Sequence, residues 1–68
     1  MKIEVSERLM DYWIDEKGQR QPKFHAQIEG KPGIWSAGRS LDDAVGNLIR
    51  THPEQFGVTI AFLGKSAR

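Results

Sequence analysis

Apolar and polar residues alternate with a period of two through most of the first half of the chain, and switch to a helical period after residue 40. Ile3 and Val5 mark one side of a short strand over residues 2–6, after which Ser6-Glu7-Arg8 interrupts the pattern. Leu9 to Ile14 reads as strand again, with Met10, Tyr12 and Ile14 on one face and Leu9, Asp11 and Trp13 on the other. The two stretches are either separate strands or one bent strand. Asp15 to Pro22 is polar and predicts a loop, turned by Gly18 and closed by Pro22. Lys23 to Glu29 alternates cleanly: Phe24, Ala26 and Ile28 against Lys23, His25, Gln27 and Glu29, as expected of an antiparallel sheet with one buried face.

Gly30-Lys-Pro-Gly33 predicts a tight turn and Ile34 to Ala37 a short strand, from which Gly38-Arg39 leads into a helix over residues 41–51. Ser40 stands where an N-cap is needed and Asp43 follows three residues later, a capping box with Asp in place of Glu. Leu41, Ala44, Val45, Leu48 and Ile49 then recur at helical spacing. Gly46 costs this helix about 1 kcal/mol relative to Ala, and either permits close approach to the sheet or faces solvent with no role. Pro53 ends the helix. Glu54 to Gly57 is a connector or one further helical turn. Val58 to Leu63, rich in β-branched and aromatic residues, predicts a last strand, and residues 64–68 a frayed tail.

The expected order is strand, strand, strand, helix, strand: a two-layer α+β domain, β-β-β-α-β, occupying residues 1–68 with one helix on one sheet face. A helix of about three turns covers only one side. The other carries Trp13, His25, Gln27 and either Trp35 or Ser36, depending on register. An aromatic patch on an uncovered face predicts contact with another chain.

Size strengthens that expectation. A 68-residue chain buries only roughly 60% of its unfolded surface. Without cysteine it has neither disulfides nor a Cys-based metal site, so idealised packing or self-association must support it. Ten basic and nine acidic residues, interspersed, give a net charge of +1, unlike the basic stripe of a dedicated nucleic-acid binder. Only Lys17, Arg20 and Lys23 cluster, in the expected loop; they are the candidates for a nucleic-acid contact, with Trp13 as a stacking residue. The longest apolar run, Val58 to Leu63, is far short of a membrane span. Met1-Lys-Ile-Glu-Val carries charges where a signal peptide is apolar. The expectation is a cytoplasmic protein with no membrane contact.

Candidate chemistry is sparse. His25 stands at a wet strand position and His52 at the helix end, where a cation suits the dipole; neither neighbours a nucleophile at a recognisable spacing. Asp42 and Asp43 read as partners of the helix N-terminus rather than an acid–base pair. Asp11, Asp15 and Glu29 approach one another only if the first two strands bring them together, as a two-carboxylate metal site requires. Gly30-Lys-Pro-Gly33 lacks the glycine pattern and following helix of a phosphate loop. No catalytic residue, cofactor or metal site is expected, and the chain does not read as an enzyme.

Pro32-Gly33, the short strand Ile34 to Ala37, Gly38, the cap Ser40, the acidic pair Asp42-Asp43 and the apolar stretch Ala44 to Ile49 together resemble the small HicB-like antitoxin domain, with the hairpin Tyr12 to Ile28 fitting more loosely. The resemblance spans residues 9–51. It implies a partial ribonuclease H-like fold and a non-enzymatic, self-associating domain that neutralises a small RNA-cleaving toxin. Full-length antitoxins of this kind add a DNA-binding module. These 68 residues include none, so a stand-alone domain is expected. Trp13, His25 and Trp35, with Arg39 as a rim charge, are the candidate partner-binding residues; a homo-oligomer and a small toxin protein are the expected partners, and nucleic acid is not.

Overall fold

Pairing of the alternating stretches, rather than their separate propensities, sets the architecture. A computed structural model describes residues 1–64. It contains β1 (Ile3–Ile14), β2 (Arg20–Ile28), β3 (Lys31–Gly38), α1 (Leu41–Thr51) and a 3-10 turn, Pro53–Phe56. The strands form an antiparallel sheet in the order β1-β2-β3, and α1 packs on one face, giving a small α+β fold. The expected tail falls, from residue 65 onward, outside the described residues.

The two N-terminal stretches are one strand with a break. Ile3 to Arg8 pair regularly with Ile28 to Lys23, after which Tyr12 faces Pro22. Leu9, Met10 and Asp11 thus intervene where β2 advances by a single step. Because the number of inserted residues is odd, the faces exchange. Tyr12 and Ile14 fall on the helix side with Ile3 and Val5, and Trp13 joins Glu4, Ser6 and Arg8 on the opposite side.

Three expectations require correction. The loop over Asp15–Pro22 is shorter, because β2 already begins at Arg20; its first residues are polar and carry no apolar alternation to reveal it. Pro22 is tolerated there because β3 pairs with β2 only from Phe24 onward, so β2 is itself an edge at Pro22. The turn after β2 is confined to Glu29-Gly30, with Gly30 at φ 80°. Pro32, Gly33 and Ile34 lie within β3 as an irregularity between the pairs Gln27–Trp35 and Ile28–Lys31. Finally, Val58 to Leu63 has strand composition but no strand conformation, and joins no ladder. Composition favours a strand only where a neighbouring strand supplies hydrogen bonds, and among the described residues none bonds to this segment.

The helix follows its sequence closely. Ser40 Oγ accepts the Asp43 N–H at 3.0 Å, and His52 caps the other end, its N–H donating to the Leu48 carbonyl. Pro53 starts the 3-10 turn, which ends at Gly57 in the left-handed region, φ 67°. Ala44 and Leu48 meet Ala26 and Ile28 to form the fully buried core, ringed by half-buried Ile3, Val5, Phe24, Ile34, Val45 and Phe56. No polar side chain among the described residues is buried. Asn47 Nδ2 donates to the Ala37 carbonyl at 2.8 Å, tying the helix to β3.

Gly38 sets how closely α1 approaches. A Cβ there would lie 2.5 Å from the Ala44 nitrogen and 2.7 Å from Asp43 backbone and Cβ atoms, a clash with backbone that no rotamer relieves. Gly46 has open space around it and is exposed, so the solvent-facing alternative holds. Gly38→Ala is expected to destabilise the fold by about 1–3 kcal/mol through overpacking, and Gly46→Ala to stabilise it by about 1 kcal/mol. Urea unfolding of the two variants checks both signs; a neutral Gly38→Ala contradicts the close approach.

Candidate functional site

The sheet face turned away from α1 is built by register. Gln27 faces Trp35 and His25 faces Ala37 across β2 and β3, while Glu4 and Ser6 of β1 face Gln27 and His25. Trp35, not Ser36, therefore shares this face with His25; Ser36 opposes Ala26 on the helix side. The His25 and Trp35 rings stack with centroids 4.9 Å apart and planes 18° from parallel. His25 Nε2 lies 3.3 Å from Gln27 Oε1, and Gln27 Nε2 donates to Glu4 Oε1 at 3.5 Å. Trp35 remains 50% exposed. Beside this pair an open groove is lined by Arg8, Met10, Asp11, His25, Trp35 and Ala37.

Farther along the same face, the odd-numbered break in β1 brings Trp13 opposite Gln21. Arg39 extends from the end of β3 over the indole, its guanidinium carbon 4.6 Å from the ring centroid. Such a cation–π contact contributes about 0.5–1 kcal/mol at an exposed site. The Trp13 indole Nε1–H is enclosed and finds no acceptor among the described residues, an arrangement that costs about 1–3 kcal/mol. All four candidates, Trp13, His25, Trp35 and Arg39, thus lie on one face, as two stacked pairs. Pairing within each couple was not legible from spacing, because Trp13–Arg39 depends on the break in β1 and His25–Trp35 on the register between β2 and β3.

The basic candidates do not converge. Lys17 sits in the β1–β2 turn. Arg20 belongs to the helix side of β2, where its guanidinium lies 4.6 Å from the Tyr12 ring centroid. Lys23 is on the opposite face, 3.7 Å from Asp11 Oδ1. Alternation along β2 separates what looked adjacent in a loop.

The carboxylates are likewise dispersed. Glu29 pairs with Lys2 at 3.6 Å, at the opposite end of β2 from Asp15. Asp11 is engaged by Lys23. Among the described residues no three His, Asp or Glu side chains are placed to hold a metal ion, and no helix is long and apolar enough to cross a membrane. His52 Nδ1 is 3.9 Å from Glu54 Oε1, remote from the aromatic face.

Asp15 organises the hairpin turn. Its Oδ1 accepts the Lys17 and Gln19 N–H groups at 2.9 and 2.8 Å, and Oδ2 accepts Gln21 Nε2 at 2.9 Å. Gly18, at φ 77°, returns its N–H to the Asp15 carbonyl. The Gln19 N–H, then the Gln21 amide and, more weakly, the Lys17 N–H hold the carboxyl below the ordinary aspartate range, outweighing the opposing effect of desolvation. Through Gln21 this turn adjoins Trp13 and Arg39.

Comparison of the chain with protein-family models, with curated proteins and with solved structures finds no match.

A carboxyl depressed in the folded state stabilises the turn fully above its unfolded pKa, and that contribution fades as pH falls through the lower folded value. Amide shifts of Lys17 and Gln19 should therefore titrate with a midpoint below that of a free aspartate, and Asp15→Asn should abolish the titration. A midpoint at or above the free value contradicts the assignment.

Proposed function

We propose that this chain is a non-enzymatic protein-binding module of the HicB-like antitoxin type, which associates with itself and neutralises a small RNA-cleaving toxin protein. The observation that carries the reading is the uncovered sheet face with its two stacked pairs, His25–Trp35 and Trp13–Arg39. Aromatic and Arg side chains dominate interface energetics once desolvated, because they bury large, rigid surface at low entropic cost. Trp35 offers such surface while half exposed, and Arg39 already holds the Trp13 ring in place. A groove beside Trp35 gives a partner side chain somewhere to seat.

The placement of the family-like residues supports the antitoxin type. Pro32-Gly33 lies in the β3 irregularity, Gly38 admits the helix, Ser40 caps it, and Asp42-Asp43 occupy its first turn. Strand, strand, strand, helix is the order of a partial ribonuclease H-like fold, and Val58 to Leu63 has the composition of the strand that would complete it. Dispersal of Lys17, Arg20 and Lys23 onto the turn and two different faces weighs against a nucleic-acid surface.

Truncation of an interface aromatic commonly costs about 2 kcal/mol or more, roughly a 30-fold loss of affinity. Trp35→Ala and Trp13→Ala should each weaken self-association in sedimentation while circular dichroism stays near native. Trp35→Ala is the safer of the two, since Trp13 is the more enclosed. Association unchanged in Trp35→Ala, or binding of single-stranded RNA with steep salt dependence, overturns the reading. Co-expression with the product of the adjacent reading frame, if small, basic and His-containing, should yield a stable complex that Trp35→Ala weakens.

A further inference from the structure

The segment after the 3-10 turn is the least explained part of the molecule. Val58-Thr-Ile-Ala-Phe-Leu63 has no charged residue and no proline, and alternates Val58, Ile60 and Phe62 with Thr59, Ala61 and Leu63. Such six-residue segments pair readily as strands. Yet Ile60 is 54% exposed, Phe62 92% and Leu63 91%. Val58 donates its N–H to the Pro53 carbonyl at 3.2 Å; among the described residues no backbone hydrogen bond holds residues 59–63. The left-handed Gly57 and the Val58 bond fix the direction in which the segment leaves. Among the described residues it pairs with no strand of its own sheet.

The molecule's dimensions agree. Its radius of gyration is 14.4 Å, with extents of 38 × 37 × 14 Å, whereas a compact chain of this length has about 11 Å. The chain is a thin slab with an arm, and the four residues of its buried core leave apolar surface unspent.

The sheet has two free edges, and they are not equivalent. On β3, Pro32 offers no N–H, residues 32–34 are irregular, and Asn47 occupies the Ala37 carbonyl. On β1, Ile3 to Arg8 form six regularly paired residues, and among the described residues no strand pairs with their outer edge. Six extended residues span about 20 Å, so arm and free edge match in length.

We propose that Val58–Leu63 of one copy adds as a strand to the outer edge of β1, over Ile3–Arg8, of a second copy of this chain, reciprocally, so that each copy completes the other's sheet. Main-chain hydrogen bonds supply the affinity, and alternate arm side chains extend the apolar face begun by Ile3 and Val5. This contact uses a sheet edge and does not depend on the aromatic face.

The test uses the full chain. A mixture of differently isotope-labelled copies should give intermolecular nuclear Overhauser effects between the amides of residues 59–63 and those of 4–8. Ile60→Lys combined with Phe62→Lys, both at exposed positions, should reduce the mass in light scattering from two chains to one while the helix signal in circular dichroism persists. Overhauser effects confined to a single copy mean that the arm docks on its own sheet, and overturn the proposal. So does a mass indifferent to the double variant. Arm contacts present while association ignores Trp35→Ala would support the exchange and remove the aromatic face. Arm contacts absent while Trp35→Ala disrupts association would do the reverse.

Discussion

Where β3 ends, the chain brings backbone against backbone. Gly38 has no side chain, so the first turn of α1 rests on it, and Ala44 follows directly onto Ala26. Two alanines and a glycine at the contact make the layers approach closely, and Leu48 then fills the space against Ile28. A larger residue at any of these positions would lift the helix and uncover Leu48. The capped helix, the Asn47 tether to Ala37 and the position of the 3-10 turn all depend on this approach.

The same economy limits the fold. A single helix closes one face, and a chain of this size retains a large share of its apolar surface in contact with water. That surface is organised: an aromatic pair and a cation–π pair lie on the face opposite α1, a β-prone segment pairs with no strand, and the outer edge of β1 is unpaired among the described residues. These features are what remains once α1 has covered one face of the sheet. They explain why a small domain without cysteine would be stabilised by company.

Much of this was legible in the residues because the relevant signals are local. Ser40, Asp43 and the apolar period placed the helix at its observed bounds, and Pro53 its end. Alternation around Ala26 placed the buried and open faces of β2. Non-local features were not legible. Trp13 shares the His25 face as its alternation implied, but the break in β1 is decided by how the hairpin pairs, so nothing near Leu9 announces that Tyr12 and Ile14 will join Ile3 and Val5 on the helix side, or that Arg39 will cover Trp13. Polar Arg20-Gln21 hid the start of β2, which alternation alone placed at Lys23. Val58 to Leu63 misled for the opposite reason: its side chains suit a strand, but a strand needs a neighbour.

The central claim is that the uncovered surface is covered by another chain in solution. Tryptophan emission measured across a concentration series reads this directly, since both indoles, Trp13 and Trp35, lie on that surface. Association should shift the emission to shorter wavelength and reduce quenching by acrylamide as the mass rises above one chain. Emission and quenching that stay constant into the millimolar range, with a mass of one chain throughout, would contradict it.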